Sequence, residues 1–146
     1  MARFSAGARS AGAGSTTLPV GSLYAANAAG AVIRELGVFN TTTTAAAVKL
    51  VRMTTTGTQG AGLTEAAHDP GRAAPSCTAF DTHTVAPTLG DDLGYRAVLG
   101  AAAGAGIVWT FGGEGLVIPE GTGNGVGIIV ATGTGQILDW YIVWSE

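Results

Sequence analysis

A chain of 146 residues with a net charge of −3, 47% apolar and only 12% charged, is long enough for one domain whose core needs neither disulfides nor metal. Its seven basic residues are scattered singly, which excludes the basic stripe that tracks a nucleic-acid backbone. The lone cysteine, Cys77, excludes an intrachain disulfide, and no apolar run approaches the roughly 20 residues that a membrane-spanning helix needs.

Twenty-four glycines, with abundant Thr and Ala, are the composition of a turn-rich all-β domain. So little charge for this much surface implies that part of the exterior is covered by partners. Cys77 reads as a small buried core residue ahead of an interchain bridge or a nucleophile.

In chain order, the segment from Met1 to about Thr16 is Gly-, Ala- and Ser-rich. It lacks the continuous apolar stretch of a secretory signal, and its glycines would break the amphipathic helix of a transit peptide. The expectation is a flexible arm, residues 1–16, ahead of a single domain, residues 17–146. In that arm Arg3, Phe4 and Arg9 are the groups that would order on a neighbouring surface.

The body opens near Thr17. Ala25 to Phe39 carries apolar residues at helical spacing, but Gly30, Gly37 and the Asn40-Thr-Thr-Thr-Thr tract favour a strand over Ala31 to Phe39. A second strand is expected from Ala46 to Thr54. Lys49 and Arg52 fall on its opposite faces, so one of them must sit near a strand end or meet a partner. Thr55 to Pro75, punctuated by Gly57, Gly60, Gly62, Pro70 and Gly71, reads as a long binding or contact loop, with room for one helical turn around Leu63 to His68.

Pattern returns at Ser76 to Thr84 and breaks again through Pro87, Gly90, Asp91 and Asp92. The segments starting at Tyr95 and Gly106 read as a strand pair joined across Gly104. In the next run Val126, Ile128 and Val130 share one parity, and Gly125 and Gly127 leave the other side narrow enough for a close neighbour.

The last strand is the most informative. Leu138, Trp140, Ile142 and Trp144 make an unbroken apolar face, while Ile137, Tyr141 and Val143 fall on a mixed second face without an obvious intrachain cover. That second face is the candidate subunit interface. Eight or nine short strands with no duplicated unit give an all-β antiparallel sandwich, with Trp109, Phe111, Leu116, Ile118, Val126, Ile128, Leu138, Trp140 and Ile142 in its core.

Catalytic and metal patterns do not accumulate. Asp81 and His83 would share a strand face and His68-Asp69 lies upstream, but two histidines and one cysteine are thin for a site needing three or four ligands. Asp91-Asp92 beside Gly90 and Gly94 reads as a turn. The only lysine, Lys49, is followed by Leu50, so there is no phosphate-binding loop of the Walker type, and no serine occupies a nucleophile elbow. The expectation is a protein without catalytic residues, metal or cofactor.

Several stretches nevertheless carry a resemblance: Val38-Phe-Asn-Thr-Thr-Thr, Arg96-Ala-Val-Leu-Gly-Ala, Ile107-Val-Trp-Thr-Phe-Gly, the run from Gly115 to Ile128, and Gly133 to Glu146. Over most of the chain from about Ser22, and most densely after Tyr95, it resembles small virion-associated proteins of tailed bacteriophages. The resemblance implies a β-sandwich or jelly-roll subunit, often trimeric, that decorates or cements the capsid. Its partners would be other copies of itself and the major capsid protein, without direct nucleic-acid or membrane contact. It would be made in the host bacterial cytoplasm and end on the virion surface. The alternative it implies is a tail or fibre module that binds host glycans.

Overall fold

The computed structural model describes every residue from Met1 to Glu146 and contains eleven strands and no helix. In chain order they are β1 (Arg3–Arg9), β2 (Gly21–Tyr24), β3 (Ala31–Asn40), β4 (Ala46–Met53), β5 (Ala66–Ala67), β6 (Thr78–Asp81), β7 (Leu89–Leu99), β8 (Gly106–Thr110), β9 (Leu116–Ile118), β10 (Gly125–Thr132) and β11 (Leu138–Ser145).

The pairing rule is simple. β1 pairs with β11, β2 with β10, β3 with β8 and β4 with β7, all antiparallel, so the first part of the chain lies against the second part running backwards. Further pairing of β11 with β3 and of β10 with β4 rolls this ribbon into two sheets. The first has the order β5-β1-β11-β3-β8, with β9 also on β3, and the second β6-β2-β10-β4-β7. Two antiparallel sheets wound in this way are a double-sheet jelly roll, so the expected all-β sandwich is what the chain forms.

Period-two alternation fills the space between the sheets. Leu138, Trp140, Ile142 and Trp144 of β11 are all buried, and they meet Val126 and Ile128 of β10 and Val48 and Leu50 of β4 in one cluster. The core residues named from parity are all buried except Leu116, which is half-buried. Gly21 is the clearest case of a residue fixed by a partner in the opposite sheet. A Cβ there would lie 2.1 Å from Cε2 of the Trp140 indole, so the indole occupies the place of a side chain on β2.

Lys49 and Arg52 resolve as their parity required. Arg52 reaches the strand end and donates to the Val117 carbonyl at 2.7 Å, while Lys49 points outward and pairs with Asp92 at 3.0 Å.

Four expectations change. The N-terminal segment is not a free arm: β1 lies between β5 and β11, and Phe4 is buried against Trp144 with ring centroids 5.9 Å apart. Its small residues match the bulky strand beside it, Ala6 standing opposite Ile142 and Ala8 opposite Trp140. Residues 1–16 therefore belong to the same folded unit as the rest. The backbone amides of Ala2 and Glu146 bond to each other's carbonyls at 2.9 and 3.1 Å.

The two segments around Gly104 are also not a hairpin. β7 edges the second sheet on β4 and β8 edges the first on β3, so the turn through Gly104, at φ 89°, carries the chain between sheets. Asp91-Asp92 lies within β7, where the register against β4 shifts; Asp92 still makes the local bond typical of a turn, accepting from the Gly94 amide at 2.9 Å. Around Leu63 the chain is extended, the Leu63 amide bonding to the Ala79 carbonyl at 2.8 Å and Ala66–Ala67 pairing with β1.

Candidate functional site

The two sheets treat their outer faces differently. On the second sheet, Ser22 and Tyr24 of β2 and Met53 of β4 point outward, yet all are buried. Gly125 and Gly127 provide the narrow side expected from parity: a Cβ on Gly125 would come within 2.8 Å of the Tyr24 ring, and one on Gly127 within 3.0 Å of the Met53 side chain and 3.2 Å of Pro19.

Over these residues the connections following β4 and β6 meet, tied to each other by Thr84 N–H to the Thr58 carbonyl at 2.9 Å and to the segment before β2 by His83 N–H to the Pro19 carbonyl at 3.0 Å. The Tyr24 hydroxyl donates to the Thr55 carbonyl at 3.0 Å and approaches Met53 Sδ at 3.2 Å. Burial drives its pKa well above the ordinary phenol value.

Beneath this cover His83 Nε2 and Ser22 Oγ share a hydrogen bond of 2.9 Å, and both residues are 2% exposed. His83 Nδ1 has no hydrogen-bond partner. Burial lowers the His83 pKa, and the backbone of Thr56 acts the other way. Sequence spacing grouped His83 with Asp81, whereas the fold turns Asp81 toward the Ala11 and Thr82 amides and gives His83 to Ser22. That pairing spans 61 positions and carries no motif, so only the β2–β6 register, with Ser22 opposite Phe80, brings it about.

The outer face of the first sheet has no such cover. In register across β1, β11, β3 and β8 stand Gly7, Tyr141, Gly37 and Val108 in one row and Ser5, Val143, Glu35 and Thr110 in the next. Glycine lets two aromatic rings lie flat on this surface. A Cβ on Gly37 would be 2.2 Å from Cε1 of Tyr141, and one on Gly106 would be 2.3 Å from Cδ1 of Phe39. The two rings are 6.4 Å apart and inclined by only 16°, forming a shallow shelf with Val108, which is 44% exposed, beside it. The Tyr141 hydroxyl donates to Glu35 Oε1 at 2.6 Å; burial, and then the carboxylate, push its pKa up to about 12.

The sequence-selected residues meet on this face only in part. Tyr141 and Val143 belong to it, but Tyr141 has partners that parity could not show: the Gly37 backbone, Phe39 and Glu35. Ile137 precedes β11, half-buried, its carbonyl accepting from Thr41 Oγ1 at 2.6 Å. Because Phe4 faces inward, Arg3 and Arg9 face outward on β1. Arg9 is bidentate with Asp139 at 2.8 and 2.9 Å, whereas Arg3 makes no ion pair and lines an open groove of about 530 Å³ with Arg34, His68 and Val143. Phe39 and Val108 are the members that sequence reading missed; their signal was Gly37 and Gly106 standing alongside residues of outward parity.

The fold is a jelly-roll domain whose second sheet is roofed by its own loops over β2 and the end of β4, while Val98 on its edge strand stays 78% exposed, and whose first sheet carries no such roof. No protein-family model, curated protein or solved structure matches the chain.

Proposed function

We propose that this chain is a structural virion protein: a decoration, or cement, subunit that forms a homo-oligomer, a trimer, and seats on the major capsid protein of a bacteriophage head without catalysing a reaction. The observation that carries this reading is the bare outer face of the first sheet, where Phe39, Tyr141, Val108 and Val143 form an apolar shelf that no segment of the chain covers. The jelly roll is an architecture used by viral capsid proteins, and the resemblance of the sequence to virion-associated proteins points the same way. Attachment through a flexible arm gives way to attachment through a rigid surface, with Arg3 and the Arg9–Asp139 pair on its rim.

The test combines assembly and location. At micromolar concentration light scattering should report a homo-oligomer, and Val108→Asp should yield folded monomers, because Val108 contributes little to the core yet would bury an unpaired carboxylate in the interface. Tagged protein added to stripped particles should coat the head when imaged, and the variant should not. A monomeric parent, or label confined to tails, would overturn the reading.

A further inference from the structure

The end of the second sheet holds a second candidate site, away from the bare face. Between the β2–β3 turn, the loop after β4, the start of β6 and the β9–β10 turn lies an open cleft of about 330 Å³. Its wall is the half-exposed ring of Phe80, held edge-on by Tyr24 with centroids 6.1 Å apart. Around this ring stand the side chains of Asn27, Gln59, Ser76, Thr78 and Thr122. They come from four separate segments, and no side-chain hydrogen bond within the protein occupies them. No charged side chain lines the cleft.

We propose that this cleft binds a neutral sugar, as a terminal monosaccharide or one unit of a longer glycan. A pyranose has an apolar C–H face and a rim of hydroxyls, each able to donate and to accept. An aromatic wall fits the face, and amide and hydroxyl side chains, which also donate and accept, fit the rim. With no cation to hold a carboxylate or phosphate, the site favours uncharged sugars over sialic or uronic acids. Tyr24 supports Phe80 from behind and is itself anchored through its hydroxyl to the Thr55 carbonyl, so the wall is rigid before any ligand arrives. An open cleft of this size gives weak single-site binding, in the millimolar range, which several copies in one assembly would raise. The inference does not depend on where in a particle, or outside one, the protein resides.

The experiment is an NMR titration of the full chain with the methyl glycosides of glucose, galactose, mannose and N-acetylglucosamine, with sialic and glucuronic acid as charged comparisons. At least one neutral glycoside should give saturable shifts at the amides of Asn27, Gln59, Ser76 and Thr78, and the acids should not. Asn27→Ala with Gln59→Ala should weaken that binding roughly tenfold or more while leaving the melting temperature unchanged, since neither side chain holds the fold. Phe80→Leu, which keeps apolar bulk but removes the ring, should weaken it as well. Absence of saturable shifts with all four glycosides, shifts centred elsewhere, or undiminished binding by the double variant would each overturn the proposal. Binding lost here with oligomerisation intact would leave the decoration role standing, and the reverse result would leave the cleft standing.

Discussion

The outer faces of the two sheets begin from similar materials and end differently. Each has glycines that admit an aromatic ring against the backbone, Gly125 under Tyr24 on one sheet and Gly37 under Tyr141 on the other. Tyr24 is then roofed by the chain's own loops and is 2% exposed, whereas Tyr141 stays half-open with its hydroxyl on Glu35. A flat apolar surface is costly in water, and the same protein that lays two long connections over Tyr24 and Met53 leaves the ring of Tyr141 without a roof. The contrast is why the proposed contact surface lies on the first sheet and not over Tyr24.

Four experiments probe that contrast. The largest effect is expected from deleting residues 2–15, which removes β1, takes Phe4 from the core and exposes the edge of β11. The truncated chain should show no cooperative unfolding transition by circular dichroism, and a normal melt would mean that β1 is dispensable. Next is Met53→Ala on the roofed face, expected to cost about 2–5 kcal/mol in urea unfolding because a fully buried side chain is lost. If it costs no more than a substitution on the bare face, the roof is not packed.

A smaller effect comes from pH. Burial lowers the His83 pKa below its ordinary 6.5, so the unfolded chain takes up a proton first as the solution acidifies. The stabilisation from neutral His83 is full above that value and is lost as pH falls below it. Denaturation followed from about pH 7 to pH 5 should show a decline that His83→Gln flattens. The carboxyls whose pKa values are lowered, Asp92 to about 2 by the Gly94 amide and then Lys49, and Asp139 by Arg9, titrate below that window. The smallest is Arg9→Ala. Its ion pair with Asp139 is exposed, and the melting temperature should not move.

How much of this was legible in the chain follows from the reach of each signal. Parity along β11 identified both its inward and its outward face, because alternation is a local property of a strand. The role of β1 was hidden because Arg-Phe-Ser-Ala-Gly-Ala-Arg has too little bulk to look like a core strand; its smallness makes sense only beside Trp140 and Trp144, more than 130 positions away. The β7–β8 turn misled for a related reason, since a tight glycine turn looks the same whether it closes a hairpin or switches sheets. The shelf and the cleft beside Phe80 each draw side chains from three or more segments, and nothing local announces such gatherings. Gly37 and Gly106 did hold a trace of the shelf, as positions where a strand gives up its own side chain to a neighbour's ring.

The central place of β11 also governs how the molecule is made. It is flanked by β1 and β3, and it is the last strand of the domain to be synthesised. At translation rates of roughly 5 to 20 residues per second β1 waits roughly 7 to 30 s for its partner, and the closure that follows joins distant parts of the chain, which is slow. A polypeptide ended before Leu138 has nothing to place between β1 and β3, so its first sheet is split in two and its shelf lacks Tyr141 and Val143. If the proposed contact between copies forms, interrupted products would be kept out of it, and synthesis through β11 would become a condition for joining.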